Sequence, residues 1–400
     1  MKLKVKCGDD LIGELSDSFE FDYDLDWIKN PNGFDLSFCV QRNGSFSRDQ
    51  ARAFFANLIT EGDLRSTLAI GRQFDQNDIF AFLSEFGDDC AGALTITQDG
   101  SRAKQRAQRA VTLDELDKKI DQKLPLQSIE GGHFSLAGAQ DKIPVILTKE
   151  ELFLPDAAHP STHILKPVSN WSGVKDSVCN EWFCMNLARL VGLPVPSVSI
   201  LQGKYLYYLI ERYDRKDGKR LHQQDLCQAL GIMLERKYEL RGGPSFPRIY
   251  NTIQSYSSNK FHDLSISLNW FLFNLLIGNN DTHAKNISFL FDGRKWQLAP
   301  FYDLMSTTVY EGFTDSFAFS IGGEAKPWQL KKNNFHLLEG ELGLKSGTML
   351  HLLEQLIIDT ILALPEVEDV CSQTFGRTFI APKISQHIQK MVRVFDQRLF

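Results

Sequence analysis

A polar segment in the second half of the chain, residues 278–286 with the sequence GNNDTHAKN, contains residue types suited to phosphate chemistry. It holds Asp281 and Asn286, and a further aspartate, Asp303, follows in the sequence FYDL. A carboxylate can accept the proton of an attacking hydroxyl group, and amide and carboxylate oxygens are ligands for Mg²⁺ bound to nucleotide phosphates. We therefore expect phosphoryl transfer from ATP, with Asp281 as proton acceptor and Asn286 and Asp303 as Mg²⁺ ligands.

The spacing of these three residues is typical of protein kinases. Kinases place an Asn five positions after the catalytic Asp, and a second Asp after an intervening hairpin. Here residues 287–291 and 295–298 flank Asp292-Gly293, a strong hairpin signal. The hairpin predicts that all three side chains point into one cleft. Each element alone has a plainer interpretation, since an aspartate before a turn is also typical of an Asx cap.

His283 lies two positions after Asp281. It could orient Asp281 or Asp303 by hydrogen bonding, and we include it among the candidate cofactor-binding residues. A structural hydrogen-bond donor is the alternative for a single histidine in this position.

A loop rich in small residues precedes a predicted strand at residues 134–142, with the sequence FSLAGAQDK. Gly138 and its alanine neighbours would let backbone N–H groups approach phosphate oxygens closely. The segment has neither the Walker A nor the GxGxxG spacing, so a plain β-turn is the alternative. The candidate phosphate-binding residues are Ala137, Gly138, Ala139, Gln140, Asp141 and Lys142.

Two further sets of residues have positions expected of a nucleotide site. Lys166 ends a predicted strand and Glu181 lies on the next predicted helix, as in the lysine–glutamate pair of kinases. The alternative for Lys166 is a solvated charge at a strand end. Glu211 and Tyr213 follow the last strand of the same region, where a kinase hinge would contact adenine; a simple exit turn is the alternative.

The predicted elements that must position these residues change in type along the chain. A helix capped by Ser47 is expected at 47–58, and a polar connecting segment at 101–123. Strands are expected at 142–147, 151–154, 162–166, 197–201 and 205–210, with a helix at 176–191. Helices at 221–238 and 263–277 follow. We predict an α+β, two-lobed, kinase-like fold with three regions: an amino-terminal α/β subdomain and connecting segment at 1–125, a β-rich small lobe at 126–215 and a helical large lobe at 216–400.

Composition narrows the functional classes. The 400 residues carry a formal net charge of −6, so no overall positive charge favours nucleic acid or anionic membrane. The seven cysteines are scattered without a C-x-x-C pair, which favours reduced thiols over disulfides or zinc. The amino terminus lacks the apolar core of a secretory signal. We expect a cytoplasmic protein without membrane association.

Several stretches, in this order, resemble the HipA family of toxin kinases. They are SLAGAQDK at 135–142, HILKP at 163–167, NE at 180–181, ERYD at 211–214, DLCQALG at 225–231, GNNDTHAKN at 278–286 and YDL at 302–304. The first hundred residues also resemble the family's amino-terminal region, through FFANL at 54–58 and GDDCAGAL at 87–94. The resemblance spans nearly the whole chain.

The resemblance implies an ATP- and Mg²⁺-dependent serine/threonine kinase with Asp281 as the catalytic aspartate and Lys166 on the nucleotide phosphates. Ser135 matches the family serine that becomes autophosphorylated, which expels the phosphate loop and silences the enzyme. The implied partner is a HipB-type antitoxin with a helix-turn-helix, so that DNA is bound mostly through the partner. The implied substrate is an aminoacyl-tRNA synthetase, of which the glutamyl enzyme is the best-known choice.

Two other functions fit the same residues less closely. One is a small-molecule kinase of the same architecture, which would label a metabolite and no protein. The other is an inactive nucleotide-binding module that regulates a DNA-binding partner, although an intact set of Asp281, Asn286 and Asp303 counts against it. Pro144, just after the phosphate loop, departs from an ordinary strand because it removes one ladder N–H.

Overall fold

In the computed structural model of the chain, residues 1–98, 109–134, 136–149, 151–156, 158–169 and 173–400 are described. Contacts divide the chain into two units. Unit 1 comprises Met1–Pro167, Ser199–Leu234 and Phe289–Trp296, and unit 2 comprises Val168–Val198, Glu235–Ser288 and Gln297–Phe400. The predicted region boundaries after residues 125 and 215 stay a prediction.

Strands are concentrated in unit 1. The described strands are β1 (Lys2–Cys7), β2 (Asp10–Ser16), β3 (Phe21–Tyr23), β4 (Leu94–Thr97), β5 (Ala110–Val111), β6 (Ile143–Leu147), β7 (Leu152–Phe153), β8 (His163–Pro167), β9 (Val198–Gln202), β10 (Leu206–Glu211), β11 (Arg215–Lys216), β12 (Lys219–Arg220), β13 (His222–Asp225), β14 (Ser288–Phe291) and β15 (Trp296–Leu298).

Unit 2 is mainly helical, and unit 1 also contains helices. The described α-helices are α1 (Leu25–Lys29), α2 (Arg48–Ala56), α3 (Gly62–Arg72), α4 (Ile79–Phe86), α5 (Leu113–Asp121), α6 (Ser177–Leu190), α7 (Leu226–Leu230), α8 (Phe246–Tyr256), α9 (Lys260–Ile277), α10 (Lys332–Leu342), α11 (Thr348–Phe375) and α12 (Ile380–Leu399). Short 3₁₀ turns occur at Leu126–Ser128, Leu234–Arg236, Glu239–Arg241, Ala284–Asn286 and Pro327–Gln329.

The amino-terminal part of unit 1 is a four-stranded sheet, in the order β3-β2-β1-β4, with α2 and α4 contributing to its core. Ser47 caps α2 as predicted: its hydroxyl accepts from the Gln50 N–H, while the Gln50 side chain accepts from the Ser47 N–H. Phe54 and Phe55 of α2 are fully buried in the core. The apolar spacing and the cap thus give the helix that the sequence indicated.

The second part of unit 1 is a six-stranded sheet in the order β5-β7-β6-β8-β10-β9. Its strands confirm the predicted strand positions and the hairpin between β9 and β10. Pro144 lies in β6 opposite Ile164 of β8. Strand β8 ends at Pro167, as expected from the missing N–H of proline.

Unit 2 is built around α9, whose residues from Trp270 to Ile277 are all buried. Helices α8, α11 and α12 pack against α9, and α11 and α12 also pack against α6. Helix α11 is long and apolar enough to cross a bilayer by length and composition alone. This is weak support for membrane insertion, because helices that bury an apolar face in a protein core pass the same test.

Two expected elements differ from the structure. The helix predicted at 221–238 is wrong: strand β13 occupies its first residues, and only Leu226–Leu230 is α-helical. Asp225 caps α7, and Gly231 ends it in the left-handed conformation with φ 64°. The connecting segment predicted at 101–123 is wrong over Leu113–Asp121, which forms α5 and buries Leu116 and Asp117; residues 101–108 lie outside the described residues.

Candidate active site

The loop that carries Asp281 begins where α9 ends at Gly278. Gly278 has φ 70°, and a Cβ here would lie 2.2 Å from Thr308 Oγ1 and 2.4 Å from His387 Nε2, so only glycine fits. The Gly278 carbonyl accepts hydrogen bonds from the backbone N–H groups of Thr307 and Thr308 at 3.0 and 3.1 Å. The start of the loop is therefore fixed to the segment that follows Asp303.

Asn279 connects the two parts of the site. Its Nδ2 donates to Asn274 Oδ1 of α9 at 2.8 Å and to the Asp303 carbonyl at 3.4 Å. Its Oδ1 accepts from the Asp281 N–H at 3.3 Å. Sequence reasoning gave Asn279 no role, and the available signal was Asn274, the one polar residue in the otherwise apolar stretch 270–277 of α9.

Asn286 and Asp303, the predicted metal ligands, lie in direct contact. Asn286 Nδ2 donates to Asp303 Oδ2 at 3.1 Å, and Asn286 Oδ1 accepts from the His283 N–H at 3.1 Å. Tyr302 holds the segment before Asp303 close to the loop that carries Asn286, because its hydroxyl donates to the Lys285 carbonyl at 2.6 Å. Hairpin β14–β15, predicted from Asp292-Gly293, joins the two residues along the chain.

Asp303 has an unusual backbone. Its φ is 60°, in the left-handed region that non-glycine residues adopt rarely. Neighbouring contacts hold this conformation: Leu304 is buried, and the Ser306 N–H donates to Asn180 Oδ1 of α6 at 2.9 Å. Such strain persists where surrounding structure imposes it, and it is concentrated at functional sites. Asp303 itself is exposed.

Asp281 is exposed, and its Oδ1 accepts a hydrogen bond from the hydroxyl of Tyr238. The Tyr238 segment also contacts the loop through its backbone, because the Lys237 carbonyl accepts from the Ala284 N–H at 3.1 Å. Tyr238 was missed at the sequence level, where it was the last residue of the wrongly predicted helix at 221–238. No local pattern would have revealed it, since 43 positions separate it from Asp281.

His283 packs against the same tyrosine. The two rings meet edge to face, with centroids 5.0 Å apart and an interplanar angle of 80°. His283 is buried, at 7% exposure. These contacts give the ring a structural role in packing, while both its hydrogen bonding and its place among the cofactor-binding residues stay predictions.

The donors at Asn286 and Asp303 suit a magnesium ion. Mg²⁺ prefers oxygen ligands and is usually bound by one or two carboxylates together with substrate phosphates. Here one exposed carboxylate and one amide are held in contact, and both offer oxygen atoms. Within the described ranges, no cluster of three or more His, Cys, Asp or Glu side chains could hold a metal, so an ion at this site would need further oxygen atoms from a nucleotide or water.

The predicted phosphate loop is anchored within unit 1. The Gly138 carbonyl accepts from the Glu61 N–H at 3.0 Å, and Gly138 has φ 113°. Asp141 Oδ2 accepts from the Leu126 N–H at 2.7 Å, and burial raises the pKa of Asp141 to about 6. The Asp141 carboxylate thus supports the base of the loop. Ser135 lies outside the described residues.

Lys166 and Glu211 lie on the neighbouring strands β8 and β10 of the six-stranded sheet, and Tyr213 follows β10. Lys166 is paired in register with Tyr208, and its Nζ lies 6.0 Å from the centroid of the Tyr208 ring. Glu211 ends β10 opposite His163 and is exposed, while the Tyr213 hydroxyl donates to Gln223. Glu181 is buried on α6, in the other unit. The pairing of Glu181 with Lys166 stays a prediction, as do the nucleotide contacts of Lys166, Glu211 and Tyr213.

Comparison with known families matches both parts of the chain. Residues 134–363 match the HipA-like C-terminal domain, and residues 3–97 match the HipA N-terminal domain. The chain is 30% identical to the serine/threonine-protein kinase toxin HipA of Shewanella oneidensis, over 92% of this chain and 91% of that protein. It is also 34% identical to Y4mE, a predicted kinase of Sinorhizobium fredii, over 81% of this chain and 80% of that protein.

A solved structure extends this similarity to the fold. A complex of Shewanella oneidensis HipA with HipB and its operator DNA contains a chain that matches with a TM-score of 0.85 and 27% identity. The match covers 99% of this chain and 97% of that chain. The two-lobed, kinase-like fold predicted from the sequence is confirmed.

Proposed function

Since the chain belongs to the HipA family of serine/threonine kinases, we propose that it transfers the γ-phosphoryl group of ATP to a serine or threonine of a target protein. The observation that carries this proposal is the contact between Asn286 and Asp303, with Asp281 joined to the same network through Asn279. These are the oxygen-bearing groups that phosphoryl transfer requires.

Asp281 accepts the proton of the attacking hydroxyl group in this proposal. Its exposed carboxylate is accessible to a protein substrate, and its backbone is held by Asn279. Asn286 and Asp303 would hold Mg²⁺. When bound, the ion would neutralise negative charge on the phosphates and orient them for attack.

The remaining nucleotide contacts come from the residues predicted for them. Ala137 to Lys142 would surround the phosphates, Lys166 would contact them, and Glu211 and Tyr213 would face adenine. His283 would support the phosphate end of the site.

The proposed partner is a HipB-type antitoxin that supplies the DNA contact. The similarity to a HipA chain solved with HipB and operator DNA supports this, and the net charge of −6 fits indirect DNA association. The proposed target is an aminoacyl-tRNA synthetase, with the glutamyl enzyme first, in the cytoplasm. Autophosphorylation at Ser135 is the proposed means of self-inactivation, since a dianionic group would disrupt a loop that surrounds phosphates.

The test is a phosphorylation assay with radiolabelled ATP, Mg²⁺ and purified glutamyl-tRNA synthetase. The wild-type chain should label the synthetase, and Asp281→Asn should lower the rate at least about 100-fold with an unchanged thermal midpoint, because general-base catalysis is worth about that factor. Asp369→Asn, an exposed carboxylate on α11, is the matched control and should label normally.

Other outcomes of this assay would show which part of the proposed function is wrong. Label on Ser135 or on another protein, with none on the glutamyl enzyme, would reject that substrate alone. Label confined to metabolites would indicate a small-molecule kinase. ATP binding without any transfer would indicate a regulatory module, and normal activity of Asp281→Asn would reject the assigned base.

A further inference from the structure

The hydroxyl group of Tyr238 donates a hydrogen bond to Oδ1 of Asp281. We propose that Tyr238 is a positioning residue, which holds the Asp281 carboxylate in the orientation that receives the proton of the acceptor hydroxyl. The proposal rests on the proposed function of Asp281. Tyr238 would act in the same site as Asp281, although it lies outside the polar segment at 278–286.

The backbone around Tyr238 is fixed on both sides. Before it, the Lys237 carbonyl accepts from the Ala284 N–H at 3.1 Å, within the loop that carries Asp281. After it, the Glu239 carboxylate accepts from the hydroxyl and the N–H of Ser320 at 2.8 and 3.1 Å. The segment is thus joined both to the Asp281 loop and to the chain that follows Asp303.

The segment closes on itself behind the tyrosine. The Tyr238 carbonyl accepts from the N–H groups of Arg241 and Gly243 at 3.0 and 2.9 Å. A Cβ at Gly243 would lie 2.2 Å from the Arg236 carbonyl oxygen, so a side chain cannot be added there without moving the turn. The tight turn therefore presents Tyr238 in one orientation.

The ring of Tyr238 is held as well as its backbone. It meets the His283 ring edge to face at 5.0 Å, and Lys237 Nζ and Arg241 Cζ each lie 5.5 Å from its centroid. Cations near an aromatic ring are attracted to its face. These contacts direct the hydroxyl group toward Asp281 and give His283 a role as a support for the tyrosine.

An exposed carboxylate needs such a support. The terminal torsion of aspartate has broad minima, so a solvated Asp281 would sample many orientations. A hydrogen bond to Oδ1 restricts the plane of the carboxylate and so the direction of its second oxygen. In the reaction, the acceptor oxygen forms a bond to the γ-phosphorus, the bond between that phosphorus and the oxygen leaving with ADP breaks, and the hydroxyl proton passes to Asp281. Tyr238 keeps its own proton throughout.

The experiment compares Tyr238→Phe with wild type in the same phosphorylation assay. The variant removes one hydroxyl group and retains the ring. Because general-base catalysis contributes about 10²- to 10⁴-fold, loss of the base's orientation should lower kcat about tenfold. KM for ATP and the thermal midpoint should stay unchanged. Tyr256→Phe, on α8, is the matched control and should retain wild-type kcat.

A second variant tests the anchor of the segment. Ser320→Ala removes one hydrogen bond to Glu239 and should lower kcat about twofold to threefold with the same KM for ATP, since a loosened segment holds the base less well. An unchanged kcat in Tyr238→Phe, while Asp281→Asn is inactive, would overturn this inference alone. A parallel loss of ATP affinity and thermal stability would also overturn it, by showing a structural role. Normal activity of Asp281→Asn would instead reject the proposed function.

Discussion

The side-chain amide of Asn286 donates a hydrogen bond to the carboxylate of Asp303 at 3.1 Å, across 17 positions of sequence. Hairpin β14–β15 lies between the two residues in the chain. This contact joins the loop that carries Asp281 to the segment that follows the hairpin. It also places an amide and a carboxylate where one Mg²⁺ ion could use both.

Replacing Asp303 should weaken the binding of Mg²⁺ and leave the fold intact. Asp303→Asn keeps the shape and removes the negative charge, so we expect the Mg²⁺ concentration for half-maximal activity to rise at least about tenfold, since Mg²⁺ prefers carboxylates. Activity titrated against Mg²⁺ checks this, and chelation of the metal should stop transfer in the wild type. Asp315→Asn, exposed in the following segment, is the control. Equal Mg²⁺ curves for wild type and Asp303→Asn would contradict the assignment.

Asn180 should be important for both stability and activity. It is fully buried on α6, where its Nδ2 donates to the Ser306 carbonyl at 2.8 Å and to the Tyr310 hydroxyl at 3.0 Å. Asn180→Ala leaves these buried groups without partners and should cost about 2 to 4 kcal/mol of unfolding free energy. Denaturant unfolding measures this loss.

The same change should reduce activity, because Asn180 Oδ1 also holds the Ser306 N–H three residues after Asp303. Asn186→Ala, on the same helix and with an intrahelical hydrogen bond to the Trp182 carbonyl, is the control and should lose less stability. Similar losses of stability and activity in Asn180→Ala and Asn186→Ala would show that the contact with Ser306 is unimportant.

A buried charge cluster should stabilise unit 1. The Asp89 carboxylate contacts Arg212, Arg215 and Arg220 at 3.2, 2.9 and 2.8 Å. Burial alone would raise the pKa of Asp89, but the three guanidinium groups hold it well below its usual range. Asp89→Asn would leave buried cations poorly compensated and should cost about 3 to 5 kcal/mol. Chemical denaturation should show this loss, and no comparable loss in the exposed Asp9→Asn.

His222 should make stability depend on pH. It stacks on Phe34 at 4.1 Å and donates from Nε2 to the Leu36 carbonyl at 2.9 Å. Burial lowers the pKa of His222 to about 4, while the Leu36 carbonyl and Asp214 act in the opposite direction. The unfolded chain therefore binds a proton that the folded chain does not, and stability falls as the pH drops from about 6.5 to about 4.

The contribution lost over this range is on the order of 3 kcal/mol. His222→Gln, which keeps a donor but does not titrate, should flatten the dependence of the thermal midpoint on pH. His351→Gln, exposed on α11, should leave it as in wild type. A pH profile identical in His222→Gln and wild type would contradict the proposed effect of burial.

The sequence determined the local parts of this protein. The Ser47 cap and apolar spacing predicted α2, Asp292-Gly293 predicted the β14–β15 hairpin, and the order Asp281, Asn286, Asp303 predicted the candidate site. Each of these depends on residues close in sequence or on a spacing that the chemistry itself requires. The family motifs are of the same kind, and the fold predicted from them is confirmed.

Tertiary structure decided the rest. The apolar spacing of residues 221–238 predicts a helix, yet residues 222–225 form β13. The reason is that β14, more than sixty positions later, offers hydrogen-bonding partners to this strand. The left-handed backbone of Asp303 and the hydrogen bond from Tyr238 to Asp281 likewise depend on neighbours distant in sequence. Local sequence propensity cannot predict such contacts, because they contribute free energy only when the folded chain brings the partners together.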